Sequence, residues 1–458
     1  MKKDLYIRIF FDILTSSLSW ILFFYYRKIY IEIVPFELSK TLIIGTFAAT
    51  TLWLTIYYFY GNYVDIRRIS RLNEFSRTII QTLIGTLFIF FVFIIDDIEN
   101  YRSYKYYYDA ILSIFIIHFS LTFSIRLMLA NSMVNKIKTK EYGFNTIIIG
   151  NIKKVNQINK KLQNTSNIVL GYLSNDNITK EINIQKLGNL DDLAKVLQKN
   201  KFEEAIIAFN KKELKENYFI INELLYNDII VKTPAKTTDI LSGKVKMLSL
   251  FDATFIEMKP IKMGLFQIFL KRCFDLILSI FALIILSPIL LTTSLLVKLS
   301  SPGPVFYLQE RLGINKKTFK IIKFRSMYVN AEKKTPLLSS NNDKRITKWG
   351  KIMRKFRIDE LPQFYNVLIG EMSIVGPRPE RDFFAKQILK QASHYKLIYK
   401  VRPGITSWGM VKYGYAENVK EMVKRLNYDI IYLENLSLYS DFKVLVLTIF
   451  IILQGRGK

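Results

Sequence analysis

The chain has one cysteine, Cys273, and two histidines, His118 and His394, among 458 residues. One thiol excludes a disulfide framework and any thiolate-built zinc site. Two imidazoles leave little room for histidine catalysis or a His-rich metal centre. Glycine-rich phosphate loops are also missing. Gly150 is followed by Asn151, Ile152 and Lys153, and no G-x-G-x-x-G occurs anywhere, so the dinucleotide fingerprint is absent. Acidic residues are scarce: 38 Asp+Glu stand against 66 Lys+Arg, a net charge of +28. Such an excess has three ordinary partners: nucleic acid, an anionic membrane surface or a phosphorylated substrate. Half of the residues are hydrophobic, which excludes a disordered polycation.

Long apolar runs are what the chain does have. Four lie in the first 135 residues, at roughly 9–26, 42–60, 79–95 and 110–130. Each has about the length a helix needs to cross a hydrocarbon core of about 30 Å. Tyrosines such as Tyr25, Tyr26, Tyr57, Tyr58 and Tyr60 cluster at run ends, as interfacial belts do. No small-residue cleavage site follows the first run, so it reads as a span and not as a removable signal. Lys2, Lys3 and Arg8 precede run one, Arg67, Arg68, Arg71 and Arg77 separate runs two and three, and Lys136, Lys138 and Lys140 follow run four. The loop after run three is acidic, with Asp96, Asp97 and Glu99. The pattern predicts both ends of the chain on the cytoplasmic side. Asp12, His118 and Arg126 fall in or beside the runs. Intramembrane charge hints at function, but pairing between helices is the plainer reading.

From 142 to about 234 the texture changes. Apolar strand-like runs at 145–150, 168–173 and 205–209 alternate with helical stretches at 191–198 and 213–226. The alternation predicts a small parallel α/β domain, structural or regulatory in role. Residues 237–262 read as a linker with short strands. A fifth apolar run, about 273–299, has Ser287-Pro288 at its middle. Proline breaks or kinks a helix there. From residue 300 onward, 29 Lys+Arg face 13 Asp+Glu, a net +16. That excess belongs on the cytoplasmic side, which a fifth full crossing would forbid. A re-entrant helix–break–helix is therefore expected, with Ser287 supplying one of the bonds freed at the break. The run at 444–453 is short for a span and fits either an interfacial or a buried helix.

The last third carries the chemistry. In Arg354-Lys-Phe-Arg-Ile-Asp359-Glu360-Leu-Pro362-Gln363, Pro362 suits the first turn of a helix over 363–368, with the carboxylates at its start. By itself this is an acidic N-terminus. Its surroundings include Lys344, Arg345, Lys348, Lys351, Arg354, Lys355 and Arg357. A carboxylate in that field stays ionised and can meet a phosphate, attack it, or hold a divalent cation. In Gly376-Pro377-Arg378-Pro379-Glu380 two prolines present Arg378 rigidly, as bidentate phosphate recognition requires. Lys323 and Arg325 are placed to share one face of a strand after Gln309-Glu310-Arg311.

These residues, in this order from about 271 to 457, closely resemble the bacterial sugar transferase family, monotopic-type phosphoglycosyl transferases. The resemblance rests on Lys271-Arg272 and Asp275, Ser287-Pro288, Ser301-Pro302-Gly303-Pro304, Lys323-Phe324-Arg325-Ser326-Met327, Asp359-Glu360-Leu361-Pro362-Gln363, Pro377-Arg378-Pro379, and Arg402-Pro403-Gly404-Ile405-Thr406. It implies a membrane protein with a four-helix transmembrane bundle at 1–140. A small Rossmann-like, CoA-binding-like α/β domain with its linker follows at 141–262. The α/β-containing catalytic domain at 263–458 is anchored by a re-entrant helix about 273–299. It implies transfer of a sugar 1-phosphate from a UDP-sugar to undecaprenyl phosphate with release of UMP, which starts exopolysaccharide, capsule or O-antigen assembly. Glucose or galactose is the expected sugar. Asp359 matches the nucleophile and Glu360 its dyad partner, and the two would hold Mg2+. Lys323, Arg325, Arg354, Arg378 and Asp441 match substrate-binding positions. A homodimer at the bacterial inner membrane, its catalytic domain on the cytoplasmic face, is expected. One departure stands out. Where many members carry G-W-A-Q-V-N-G-R, this chain reads Ser407-Trp408-Gly409-Met410-Val411-Lys412-Tyr413-Gly414-Tyr415, one residue longer, with Tyr415 in place of arginine when Gly414 is set on the motif's second glycine.

Two other readings compete. A membrane-bound sugar-nucleotide dehydratase needs a Tyr-x-x-x-Lys pair, which Tyr439 and Lys443 supply, and a G-x-G-x-x-G loop, which is missing. A membrane-tethered nucleic-acid binder would use the charge, but it leaves Asp359-Glu360 without a role and has no binding module.

Overall fold

The computed structural model describes residues 2–68, 70–94, 105–163, 165–176, 183–235, 255–329, 331 and 343–454. The acidic loop at 96–99 and most of the expected linker, 237–254, lie outside them. The chain forms two compact units, one mainly from 1–144 and one from most of 145–458.

In the first unit four helices are long and apolar enough to cross a membrane: α1 (Lys2–Tyr26), α2 (Lys40–Phe59), α3 (Arg71–Ile89) and α4 (Lys105–Lys138). α1 and α4 cover the first and fourth apolar runs and extend beyond them, α2 ends one residue short of run two, and α3 covers run three as far as Ile89, with a π-helical turn over Phe90–Ile94. Ser39 and Ser70 cap α2 and α3 by accepting from Leu42 N and Asn73 N, both at 3.2 Å, which satisfies otherwise orphaned donors. The outward faces are apolar, with Ile43, Phe47 and Met128 exposed. The polar groups turn inward. Arg126 pairs with Asp12 at 3.0 Å and donates to Gln81 at 2.8 Å. His118 lies between Ser19 Oγ and Tyr57 Oη, both at 2.7 Å. Arg8 pairs with Glu74 at 3.0 Å. Asp12, His118 and Arg126 are thus partnered across helices. Glycine at 85 permits this packing: a Cβ there would sit 2.2 Å from the Trp53 ring, which stacks on His118.

The second unit opens on a six-stranded sheet, ordered β3-β2-β1-β4-β5-β6. Its strands are β1 (Phe144–Gly150), β2 (Asn167–Leu173), β3 (Lys186–Gly188), β4 (Glu204–Ala208), β5 (Ile230–Pro234) and β6 (Phe255–Met258). β1–β4, β2–β3 and β4–β5 pair in parallel, and β6 closes the edge antiparallel to β5. The run Ile147, Ile148 and Ile149 is almost wholly buried, as strands covered on both faces require. Helices α5 (Ile152–Leu162), α6 (Leu193–Lys199), α7 (Lys211–Glu216) and α8 (Tyr218–Tyr226) connect the strands. The single helix expected over 213–226 is in fact two, because Asn217 leaves helical geometry (φ −107°, ψ 24°) and donates from its side chain to Glu213 O at 2.9 Å. At the start of α5, Ile152 N donates to Asp176 Oδ2 at 2.9 Å. A side-chain carboxylate thus takes one of the amides that phosphates meet at helix N-termini.

Helices α9 (Leu265–Ile285) and α10 (Ser287–Ser300) follow, bent by 61° at their junction. Pro288 has no N–H to give Ile284 O, and Ser287 Oγ donates to that carbonyl at 2.7 Å instead. The remainder consists of a hairpin of β7 (Phe306–Leu312) and β8 (Thr318–Phe324), helices α11 (Lys348–Lys355) and α12 (Gln363–Leu368), strand β9 (Ser373–Val375), helix α13 (Asp382–Gln391), strand β10 (Gly404–Thr406), and helices α14 (Trp408–Lys412), α15 (Val419–Glu434) and α16 (Leu438–Leu453). β9 and β10 pair in parallel. One apolar core runs through this unit, from Ile147 and Leu224 in the sheet region to Tyr395, Leu397 and Val444. Asn222 Nδ2 donates to Ser393 Oγ and Lys400 Nζ to Tyr226 O, each at 2.8 Å. α16 is half-buried: Val444 is enclosed while Ile449, Phe450 and Leu453 are exposed.

Candidate active site

A cavity of about 510 Å³ gathers residues from the β7–β8 hairpin, the turn before α12, the Pro377–Pro379 segment and the segment after α14, a size typical of small-molecule sites. Two of its lining residues, Asp359 and Glu360, lie in the short 3-10 turn Ile358–Glu360 between α11 and α12. The preceding residue, Arg357, has a left-handed backbone (φ +55°), a strained conformation for a side chain bearing Cβ. That reversal lets two consecutive carboxylates turn into the protein. Asp359 is 8% exposed and Glu360 6%.

The two carboxylates differ sharply. Lys323, on β8, donates to Glu360 Oε1 at 2.7 Å, and Arg378 stands 3.6 Å from the same oxygen. Burial pushes the Glu360 carboxyl up, but the charges of Lys323, Arg378 and Arg357 outweigh it and hold Glu360 well below the usual carboxylate range. Asp359 makes no hydrogen bond among the described residues. Burial, with the neighbouring Glu360 charge, lifts its pKa despite Lys323, Arg354 and Arg378. Burial likewise lowers Lys323, against the pull of Glu360. The result is one locked anion beside one unencumbered carboxyl in a cationic wall.

Of the other expected site residues, Arg354 lines the cavity and donates from Nε to Ser326 Oγ at 2.9 Å. Arg325 reaches the wall, but it lies past the end of β8 and does not act from a shared strand face with Lys323. Its guanidinium donates to Pro302 O at 2.9 Å and Ser301 O at 2.6 Å, so it holds the Ser301–Pro304 loop. Asp441, also among the expected substrate positions, is placed elsewhere. It lies outside the cavity lining, where Lys271 pairs with Oδ2 at 2.5 Å and Tyr432 donates to Oδ1 at 2.6 Å. Both oxygens are taken, because Asp441 ties α9 to α15 and α16. Sequence reasoning passed over Arg425. On α15 it pairs with Glu380, which Arg311 also meets at 3.3 Å, and these contacts brace the Pro377–Pro379 segment from behind. Its position on the buried face of α15 was the one available signal. Arg311 is lowered to about 10, by burial against the attraction of Glu380.

Among the described residues no group of three or more His, Cys, Asp or Glu gathers. Asp359 and Glu360 nonetheless suit magnesium. Glu360 Oε2 is buried with no hydrogen-bond partner, and magnesium takes one or two carboxylates and fills its remaining positions with water and substrate phosphates. The dehydratase reading finds no support: Tyr439 is 75% exposed on α16, and Lys443 lies over the Trp408 ring, neither of them at the cavity.

Comparison with known proteins places these features. The family described as bacterial sugar transferase matches residues 266–455. The UDP-N-acetylgalactosamine-undecaprenyl-phosphate N-acetylgalactosaminephosphotransferase of Aeromonas hydrophila is 40% identical over 48% of this chain and 51% of its own. The UDP-glucose:undecaprenyl-phosphate glucose-1-phosphate transferase of Escherichia coli K12 is 43% identical over 40% of this chain and 39% of its own. The match thus spans about half or less of these relatives. The sugar transferase EpsL of Bacillus subtilis is 40% identical over 41% of this chain and 89% of its own length. The stretch matched by the family contains every residue of the cavity. The chain is a membrane protein that belongs to the bacterial sugar transferase family.

Proposed function

We propose that the protein transfers a sugar 1-phosphate from a UDP-sugar to undecaprenyl phosphate, with Asp359 as the nucleophile. The observation that carries this is the contrast within the pair: Glu360 is fixed by Lys323 and Arg378, while Asp359 is buried beside it with its oxygens unengaged. In the first step an Asp359 oxygen bonds to the sugar-bearing phosphorus. The bridging P–O bond breaks, and its electrons leave with UMP. In the second, an oxygen of undecaprenyl phosphate bonds to that phosphorus and the Asp359–phosphorus bond breaks, giving the undecaprenyl-diphosphate sugar. Lys323, Arg354 and Arg378 stabilise charge on the transferred phosphoryl group. Mg2+, held by Asp359 and Glu360, supplies further charge neutralisation at the diphosphate when bound.

The acceptor's prenyl chain stays in the bilayer, so its phosphate must be met at the interface. The 61° break between α9 and α10 supports a re-entrant membrane helix, as do the exposed Leu291, Leu295 and Leu299. The catalytic part then lies on the cytoplasmic face of the inner membrane. The six-stranded sheet is read as a Rossmann-like domain, the assembly as a homodimer, and the product as the start of an exopolysaccharide, capsule or O-antigen. The relatives act on UDP-glucose or UDP-N-acetylgalactosamine by their names, so the expected glucose or galactose belongs in a wider panel.

Asp359→Asn should lower transfer by roughly 10³-fold or more while the protein stays in the membrane. The checks are UMP release from a panel of UDP-sugars with undecaprenyl phosphate, and covalent labelling by a radiolabelled UDP-sugar. Substantial residual turnover in the variant, or no labelled wild-type protein, would overturn the covalent route.

A further inference from the structure

Tyr415 lines the cavity, and its place there is built by the chain. Gly414 lies two residues past the end of helix α14, and its φ of +91° favours glycine. Gly414 N donates to Met410 O at 3.1 Å and Gly409 O at 3.3 Å, which closes the helix and turns the next residue into the site. The Tyr415 ring then carries two guanidinium groups. Arg357 Cζ is 5.2 Å and Arg378 Cζ 5.6 Å from its centroid, within the range where a ring face attracts a cation. Arg378 is the group that stands 3.6 Å from Glu360. Arg357 holds its strained backbone with Nε buried and without a hydrogen-bond partner. The Tyr415 hydroxyl makes no hydrogen bond among the described residues.

We infer that Tyr415 contacts the donor substrate and sets its affinity. Its ring holds Arg357 and Arg378 in place for the diphosphate, and its hydroxyl donates a hydrogen bond to an oxygen of the sugar phosphate. The inference rests on the proposed transfer for the identity of that substrate. Its logic is electrostatic. Lys323, Arg354, Arg357 and Arg378 already act on the carboxylate pair. A further cation at 415 would strengthen binding of donor and of the UMP product alike, and uniform binding does not speed turnover. A phenol adds a directed donor without adding charge. Burial raises the Tyr415 hydroxyl above its ordinary range, so it remains protonated at neutral pH.

The test uses the full-length protein and two readouts, equilibrium binding of UDP and steady-state UMP release. In Y415F the KM for the UDP-sugar should rise roughly 2- to 10-fold, the scale of one hydrogen bond, with kcat within about 2-fold and the affinity for UDP, which carries the same phosphate, reduced by a similar factor. Y415L and Y415M, which both remove the ring, should lose UDP affinity by about 10-fold beyond Y415F and lower kcat as well. A Y415F enzyme with wild-type KM overturns the hydroxyl contact. Leucine and methionine variants that bind UDP like Y415F overturn the role of the ring. Wild-type protein that binds UDP but releases no UMP overturns the transfer reading and leaves the ring's role to be decided by UDP binding. Wild-type protein that binds no UDP overturns both.

Discussion

Burial acts on charged residues of this site according to the partners each one finds, and Asp429 shows the cost plainly. It lies on α15, 5% exposed, and accepts from Gly409 N at 2.9 Å, which fixes α14 and so the approach to Tyr415. Burial raises its carboxyl to about 6 despite Arg425 and the hydrogen bonds it accepts. An acid whose folded pKa lies above its unfolded value binds more protons when folded. Stability is therefore greatest below the unfolded pKa near 4 and declines as pH rises through about 6. The shift corresponds to roughly 3 kcal/mol at most above pH 6. Asp429→Asn removes this dependence, since an amide oxygen still accepts from Gly409. The melting temperature of the variant relative to wild type should increase between pH 5 and pH 7.5. An equal offset at both pH values would mean that Asp429 is not strained by its charge. Residues of this kind show the limit of the sequence. Asp359, Glu360, Lys323 and Arg378 were legible because charge clusters around a short motif. The different fates of Arg325 and Asp441 were not, since which carbonyl or lysine consumes a charge depends on contacts of 24 and 170 residues' separation.

At the scale of elements, periodicity and proline carried most of the information. Isoleucine runs marked the buried strands, and apolar length marked the spans. The division of α7 from α8 was illegible, because the break falls at Asn217 with neither glycine nor proline beside it. The break at Ser287-Pro288 was legible and makes its own prediction. Pro288 removes one backbone donor, and the ring of proline resists a continuous helix at a cost of about 3 kcal/mol. In Pro288→Ala the amide can donate to Ile284 O, and Ser287 Oγ is no longer needed there. Helices α9 and α10 then join into one helix over 265–300, at 1.5 Å per residue far longer than the bilayer core. On the re-entrant reading a cysteine placed at Ser300, in a background with Cys273 replaced by serine, reacts with impermeant reagent from the cytoplasmic side alone. Pro288→Ala should shift part of that labelling to the opposite side. Unchanged sidedness would acquit the proline as the cause of the return.

For the whole molecule, the question is what the parts before the catalytic region contribute to folding and to turnover. The bundle pairs these buried charges within itself: Asp12 has Arg126 and Tyr63, and Glu74 has Arg8. The six-stranded sheet differs, because it shares one apolar core with the catalytic part, and Lys400 binds Tyr226 O at 2.8 Å and Asp228 at 3.0 Å. A cut near residue 142 therefore removes an element with its own core, whereas a cut near 262 exposes Tyr395, Leu397 and Ile398 to water. Each large apolar side chain uncovered costs roughly 1.5–3 kcal/mol. A chain lacking 1–142 should keep UMP release within about tenfold of the full protein. A chain lacking 1–262 retains every cavity residue but should melt at lower temperature and aggregate more readily. Thermal unfolding of both in the same detergent decides the matter. If the shorter chain is as stable as the longer, the sheet is an independent passenger and the shared core contributes nothing to the catalytic fold.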